Sequence, residues 1–327
     1  MVSYSGFVTW KHWLWTGIGV LLLIEGVTFA VFTVWPWARW TEDFFPGSAP
    51  DTVLEPEAWT ITEDSITFAV VGDTGTGGRN QMDIARQMVA AYAARPYGVV
   101  IHVGDISYYG SIADRAEEVW WEPYRPLHDA GVVFEVAVGN HELEETISAE
   151  ADQEIAERLA LIAEEGSFYS EVYGPVEFFI IDSSTPQITG NAVEEQLDWL
   201  EGALAASTAR WKVAVMHDAP YSASPKRGSN LAVREATHPL FVEYGVDLVL
   251  TGHNHIYERT IPQQGVTYVV TGAGAKVSEI GDAEFIAATV KGLQFMMAEV
   301  EGDTMRLQAI NERGEVVDES SLTKGPG

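Results

Sequence analysis

Six side chains suited to holding cations recur in this sequence at one kind of place, the point where a short apolar, β-branched run stops. Asp73 follows Ile66 to Val71, Asp105 follows Gly98 to Val103, Asn140 follows Val132 to Val138, and His217 follows Trp211 to Met216. His253 and His255 follow Val246 to Thr251, inside Gly-His-Asn-His-Ile-Tyr-Glu-Arg at 252 to 259. Each has an ordinary explanation alone: an Asp caps a helix, an Asn supports a tight turn, a His fills a core. Together, two Asp, one Asn and three His offer hard oxygen and borderline nitrogen donors, enough for two cations when one carboxylate bridges them. The chain has no cysteine, so thiolate ligands are excluded. Two cations roughly 3.5 to 4 Å apart suit phosphate-ester hydrolysis, because they generate hydroxide at mild pH, hold phosphoryl oxygens and offset transition-state charge.

The elements that must position these residues read as repeated strand, loop and helix units. The run Ile66 to Val71 breaks at Gly72-Asp73-Thr74-Gly75 and gives way to a helical pattern from Asn80 to Ala94; Gly98 to Val103 ends in Gly104-Asp105-Ile106-Ser107-Tyr108-Tyr109 before a helical pattern from Ile112 onward. Strands alternating with helices predict largely parallel or mixed sheets, whose ligands bind beyond the carboxyl ends of the strands. All five polar clusters are therefore expected on one edge. Phe178 to Ile181 is a further run, ending in Asp182-Ser183-Ser184. That Asp reads equally well as hydrogen-bonding support and stays outside the ligand set. Glu144 to Glu165 is an acidic, Ala-rich helical insertion, and Gln196 to Leu204 a covering helix. Thr267 to Val270, Leu293 to Glu299 and Met305 to Ile310 alternate like strands of a second sheet, and the residues from about Ser320 read as a polar, frayed end.

Asp73 in Gly-Asp-Thr-Gly, Asp105 in Gly-Asp-x-x-Tyr, Asn140-His141 in Gly-Asn-His-Glu, His217, and His253 with His255 in Gly-His-x-His stand in an order that resembles the calcineurin-like metallophosphoesterases. Tyr108 and the full 252 to 259 motif resemble the purple acid phosphatase branch. The resemblance covers about residues 64 to 313, and it implies an α/β fold, a four-layer α/β/β/α sandwich with two mixed sheets. It implies that Asp73, Asp105, Tyr108 and His255 hold a first metal, with Asp105 bridging, and that Asn140, His217 and His253 complete a second. A phenol of reference pKa about 10 needs a strong Lewis acid to bind as phenolate near neutrality, which points to Fe(3+) beside Zn(2+), Mn(2+) or Fe(2+). His141, next to Asn140, is the expected catalytic residue, protonating the departing alkoxide or bonding a phosphate oxygen, with Glu142 orienting it. Plant-type members carry further histidines shortly after the ligand matching His217; here the chain reads Ser224-Pro225-Lys226-Arg227. Lys226 or Arg227 reads either as a phosphate clamp or as part of a solvated loop.

With 48 acidic against 19 basic residues the formal charge is -29, which argues against nucleic-acid binding through a basic surface. Residues 13 to 34 carry one charge, Glu25, and as a helix rising about 1.5 Å per residue would span roughly 30 Å, the thickness of a bilayer core. Trp10, Trp13 and Trp15 at one end and Trp35, Trp37 and Trp40 at the other fit interfacial belts. An acid near a helix centre costs about 2.5 to 3.5 kcal/mol on insertion scales, so Glu25 is protonated, paired in a helix dimer, or tolerated. The expected organisation is an anchor over 1–40, a Pro-containing linker over 41–63, the catalytic domain over 64–313 and a tail over 314–327. The expected protein is a single-pass, membrane-anchored, dinuclear-metal phosphomonoesterase with its catalytic domain extracytoplasmic, a small phosphorylated substrate, and a possible homodimer through the anchor. The alternatives are a phosphodiesterase or nucleotidase with two divalent ions and a non-catalytic anchored binding protein.

Overall fold

The computed structural model describes residues 21–24, 27–30, 50–109, 112–142, 167–184 and 191–325. The chain divides into two compact units, Met1–Glu42 and Asp43–Gly327. In the first, β1 (Leu21–Ile24) and β2 (Val27–Ala30) pair antiparallel, with Leu21 opposite Ala30 and Ile24 opposite Val27. A helix is expected there from sequence, so the described residues depart from that expectation. Short apolar runs rich in Leu, Ile and Val satisfy a strand as readily as a helix, and periodicity cannot separate them. Among the described residues no helix is long and apolar enough to cross a membrane. Glu25, the tryptophan belts and the insertion Glu144 to Glu165 lie outside the described residues.

The second unit is built on two mixed sheets. The first has the order β15-β14-β13-β3-β4-β5, in which β3 (Ser65–Val71), β4 (Val99–His102) and β5 (Val133–Val136) run parallel. To these β13 (Gln294–Glu301), β14 (Thr304–Asn311) and β15 (Val316–Thr323) add antiparallel. The second sheet has the order β12-β10-β11-β9-β8-β7-β6. Its strands are β6 (Tyr169–Tyr173), β7 (Val176–Ile180), β8 (Trp211–Val215), β9 (Leu248–Thr251), β10 (Tyr257–Thr260), β11 (Thr267–Thr271) and β12 (Ile286–Val290). Strands β7, β8, β9 and β11 are mutually parallel. The central strands β4 and β9 are buried on both faces, which is why Val99–His102 and Leu248–Thr251 read as near-continuous apolar runs.

The inner faces of the sheets share one core, in which Phe68, Ile101, Met296 and Leu307 of the first sheet meet Phe178, Val213 and Leu250 of the second. The rings of Phe68 and Phe178 pack edge to face at 5.0 Å. Outside the first sheet lies α1 (Arg79–Ala94), burying Ile84, Met88 and Tyr92 against Ala69, Val71 and Val100. Outside the second, Leu200 and Leu204 of helix Asn191–Ala206 and Phe241 of helix Leu231–Glu243 cover Phe179, Ala214 and Val249. These are the four layers expected.

Three sequence expectations need correction. Thr267–Thr271 lies in the second sheet, whereas the strands at 294–301 and 304–311 extend the first. The described part of the linker, residues 50–63, packs on the catalytic unit: Leu54 and Trp59 join the core cluster that contains α1, and Tyr92 Oη donates to the Glu55 carbonyl at 3.0 Å. The tail is a strand through Thr323. Its alternation turns Asp318, Ser320 and Leu322 inward, a register shift beside Val316 lets Val317 pack on the core as well, and Asp318 accepts from Tyr257 Oη at 2.8 Å and from Arg259 Nε at 2.8 Å and Nη2 at 3.1 Å. The polar composition of an edge strand conceals it in the sequence.

Burial works against ionisation of Asp318, yet the hydrogen bonds from Arg259 and Tyr257 hold its carboxyl below the usual range. A depressed carboxylate stabilises the fold above its unfolded pKa of about 3.9 and loses that contribution as pH falls through its folded value. Asp318→Ala is expected to cost about 1 to 3 kcal/mol at pH 7. In urea unfolding, the gap between wild type and variant should narrow as pH is lowered below 4; a gap independent of pH would contradict the assignment.

Candidate metal centre

The ends of β3, β4 and β5 supply Asp73, Asp105 and Asn140 from the first sheet, and the ends of β8 and β9 supply His217, His253 and His255 from the second. Positive φ at a non-glycine residue costs free energy, and three of the ligand candidates adopt it: Asp73 at 57°, Asp105 at 57° and His253 at 65°. Two glycines let the loops approach. A Cβ at Gly104, whose φ is +94°, would meet His217 Nδ1 at 2.6 Å, and one at Gly252 would meet Asp73 Oδ2 at 2.5 Å.

The donors fall into two groups joined at Asp105. In one, Tyr108 Oη lies 3.2 Å from Asp73 Oδ1 and 3.1 Å from His255 Nε2, which is itself 3.4 Å from Asp73 Oδ1. Ligand atoms of Asp73, Asp105 and His255 lie within 4.8 Å of one another. In the other, His217 Nε2 lies 3.3 Å from Asp105 Oδ1, 3.3 Å from Asn140 Oδ1 and 3.2 Å from His253 Nδ1. The proton count decides what this group can hold. His217 Nδ1 is 2.7 Å from the Val103 carbonyl and must donate to it, so Nε2 is the nitrogen that faces the two oxygens. The buried Asp105 Oδ2 has no hydrogen-bond partner among the described residues. Convergent buried acceptors call for positive charge between them, and an orphaned carboxylate oxygen beside both groups suits a bridge.

Electrostatics point the same way. Burial opposes a charge on His217, but Asp105, Asp73 and Asp218 prevail and push its pKa up to about 10, so without a metal the acids draw a proton to Nε2, positive charge that a bound cation would replace. Burial opposes ionisation of Asp105 too, yet His217 and His141 hold it well below the usual carboxylate range. Burial, reinforced by the neighbouring His217, takes His253 down to about 4. Burial and the charges of Asp73 and Asp105 raise the Tyr108 phenol well above 10, so only a strong Lewis acid would make it a phenolate here.

Of the residues predicted from sequence, the structure brings Asp73, Asp105, Tyr108, Asn140, His217, His253 and His255 together. His141 stands beside them, its backbone N–H donating to Asp105 Oδ1 at 3.0 Å and its ring edge to face with Tyr108 at 4.6 Å. Glu142 also holds the backbone of the site. Its carboxylate accepts backbone N–H bonds from Asp105 at 2.9 Å, Ile106 at 2.7 Å, Ser107 at 3.3 Å and Gly139 at 2.7 Å, so it clasps the Asp105 loop to the Asn140 loop. Burial and Asp105 push its pKa up to about 7. Asn254, between the two histidines, donates through Nδ2 to the Gly228 carbonyl at 3.2 Å. Asp182 accepts from the Ser184 N–H at 3.1 Å and serves its own loop.

Sequence reasoning missed His102. It is fully buried, accepts from the Gly104 N–H through Nδ1 at 3.2 Å and reaches Thr74 Oγ1 through Nε2 at 3.0 Å, tying together the loops that carry Asp73 and Asp105. Burial lowers its pKa to about 4, which keeps it neutral. Its signal was present: one polar residue closing the otherwise apolar Val99–His102.

With this geometry in hand, a family model described as Calcineurin-like phosphoesterase matches residues 66–257. The chain belongs to the calcineurin-like phosphoesterase family. Among relatives, an uncharacterized protein of Mycobacterium tuberculosis is 30% identical over 187 residues, covering 50% of this chain and 34% of that protein. Purple acid phosphatase 17 of Arabidopsis thaliana is 24% identical over 258 residues, covering 72% of this chain and 75% of the plant protein. The chain thus spans about a third of the length of the mycobacterial relative. A solved purple acid phosphatase from yellow lupin (Lupinus luteus) seeds superposes with a TM-score of 0.68 at 20% identity, covering 83% of this chain and 55% of that one. That likeness carries the phosphoesterase fold.

The Glu142 clasp gives a test within this family fold. Glu142→Ala leaves four backbone N–H groups without an acceptor, each costing about 1 to 3 kcal/mol if it stays dry. The expected result is a lower thermal midpoint and a loss of bound metal, both partly restored in Glu142→Gln. Unchanged metal content and midpoint in the alanine variant would show that the clasp is dispensable.

Proposed function

We propose that this protein is a dinuclear-metal phosphoesterase acting on phosphomonoesters, of the purple acid phosphatase-like kind. The observation that carries the reading is the convergence of oxygen and nitrogen donors in two groups sharing Asp105. Asp73, Asp105, Tyr108 and His255 would hold Fe(3+), and Asp105, Asn140, His217 and His253 would hold Zn(2+), Mn(2+) or Fe(2+). When bound, such a pair supplies the Lewis acidity and positive charge that phosphoryl transfer demands.

The chain's own residues fit that task. His217 donates Nδ1–H to Val103 and so turns Nε2 toward Asp105 and Asn140, where it would ligate a metal on giving up its second proton, and the N–H of His253 anchors the carboxylate of Asp73 at 3.0 and 3.1 Å. His141 lies where an imidazole can hand a proton to a departing alkoxide. The Lys276 ammonium is 3.1 Å from the centroid of the Tyr108 ring, a placement that favours a negative oxygen on that ring. Trivalent iron is favoured because the phenol is otherwise held protonated by burial and two carboxylates. The apolar length of residues 13–34 and its flanking tryptophans support a membrane tether for this unit, with the catalytic domain extracytoplasmic.

Metal analysis with visible spectroscopy tests the reading. The expected protein carries two metals and a tyrosinate-to-iron band that disappears in Tyr108→Phe and His255→Ala, while His253→Ala mainly weakens the divalent ion. It hydrolyses aryl phosphomonoesters in preference to diesters and, as the full chain, stays with membranes washed in alkaline carbonate. A colourless protein that is fully active with two divalent ions would contradict the iron assignment and favour the phosphodiesterase or nucleotidase alternative.

A further inference from the structure

We infer that Lys276 is a positioning residue that acts through Tyr108: its ammonium, fixed on the face of that ring, weakens the donation of the phenolate and so sets the colour and the reduction potential of the iron the ring would hold. The inference rests on the iron-containing phosphoesterase reading. Lys276 Nζ is 3.1 Å from the centroid of the Tyr108 ring and 5.0 Å from that of Tyr109, so Tyr108 is the ring it bears on. Tyr108 is buried, and the rings of His141 and His255 stand edge to face with it at 4.6 and 5.9 Å.

The half-buried Lys276 belongs to a loop after β11 that is tied to the loops of two ligand candidates. The Gly274 N–H donates to the Gly72 carbonyl at 3.0 Å, and a Cβ at Gly274 would stand 2.5 Å from that same oxygen, so glycine is what lets the Lys276 loop approach the Asp73 loop. Asn80 Nδ2 donates to the Ala275 carbonyl at 3.0 Å, and the Ser278 N–H donates to the His255 carbonyl at 2.7 Å. The backbone is thus held on each side of Lys276, once to the segment that carries Asp73 and once to His255 itself.

The face of an aromatic ring is negative, and more so when its oxygen is ionised, so a cation placed there is attracted and lowers the energy of the ring's donor electrons. Two consequences have a fixed sign. Moving an electron from the phenolate to iron takes more energy, which puts the charge-transfer band at shorter wavelength than it would have without the lysine. Weaker donation beside a fixed positive charge also disfavours the trivalent ion relative to the divalent one, which raises the potential. Asp73, Asp105 and a Tyr108 phenolate bring three negative charges to one side of the centre, a set that favours trivalent iron. Lys276 opposes it.

The test compares Lys276→Met, Lys276→Gln and Lys276→Arg with wild type in the metal-loaded full chain, with Lys291→Met, at an exposed lysine paired with Glu279, as the control. Metal content, the visible band and its reductive titration are measured. A cation–π contact corresponds to roughly 5- to 30-fold in an equilibrium, about 40 to 90 mV for a one-electron couple at about 59 mV per tenfold. Both neutral variants should keep their two metals, shift the band to longer wavelength, and lower the potential by about that amount. Lys276→Arg should stay near wild type, and Lys291→Met should match it. An unchanged band and potential in the neutral variants would overturn the inference, as would shifts of opposite sign, loss of iron in both, an equal shift in Lys276→Arg, or the same shift in Lys291→Met. A wild-type protein without the tyrosinate-to-iron band would instead overturn the iron reading, and the role of Lys276 with it.

Discussion

Asp105 is a buried carboxylate that cannot satisfy itself. One oxygen takes the His141 N–H and faces His217, and the other has no hydrogen-bond partner among the described residues. Around it the fold collects nitrogen and oxygen donors. His217 gives its Nδ1 proton to Val103 and turns Nε2 toward Asp105, His253 is held neutral by burial and the neighbouring His217, and Asn140 faces His217 through its carbonyl oxygen. An unpaired charge in so buried a place costs several kcal/mol unless a cation meets it. Stability and function are therefore coupled at one atom: the arrangement that is expensive without a cation is the one that would bind two.

The rest of the structure keeps that arrangement from relaxing. Asp73, Asp105 and His253 are held at positive φ, a conformation that persists only where its surroundings over-determine it. Glu142 fixes the Asp105 loop through four backbone N–H groups, and His102 joins it to the Asp73 loop. On the second sheet, Tyr257 and Arg259 of the His253 motif are bound by Asp318 of β15. The motif thus contributes ligands at one end and, at the other, a link between the two sheets.

Much of this was legible in the sequence, for a physical reason. Strands buried on both faces must be continuous apolar runs, so the polar residues that end them stand out, and Asp73, Asp105, Asn140, His217, His253 and His255 could be picked by position. What stayed hidden depends on partners that spacing does not encode. Glu142 sits next to His141 in the chain, but its acceptors serve backbone N–H groups more than thirty residues earlier as well as its own loop. Asp318 lies in an edge strand whose exposed face makes it read as a polar tail. Leu54 and Trp59 sit in a Pro-containing stretch whose composition suggests an extended spacer, and two apolar side chains are enough to dock it. The four-residue strands at 21–24 and 27–30 fall where helix and strand patterns coincide.

The central claim, two cations sharing Asp105 at the junction of the sheets, is most directly tested by anomalous X-ray diffraction at the iron and zinc edges on crystals of the metal-replete protein. The account predicts two peaks. One, iron, should lie among Asp73, Tyr108 and His255, and the other among Asn140, His217 and His253, with Asp105 touching both. A single peak, or peaks that leave Asp105 Oδ2 without a metal neighbour, would contradict it.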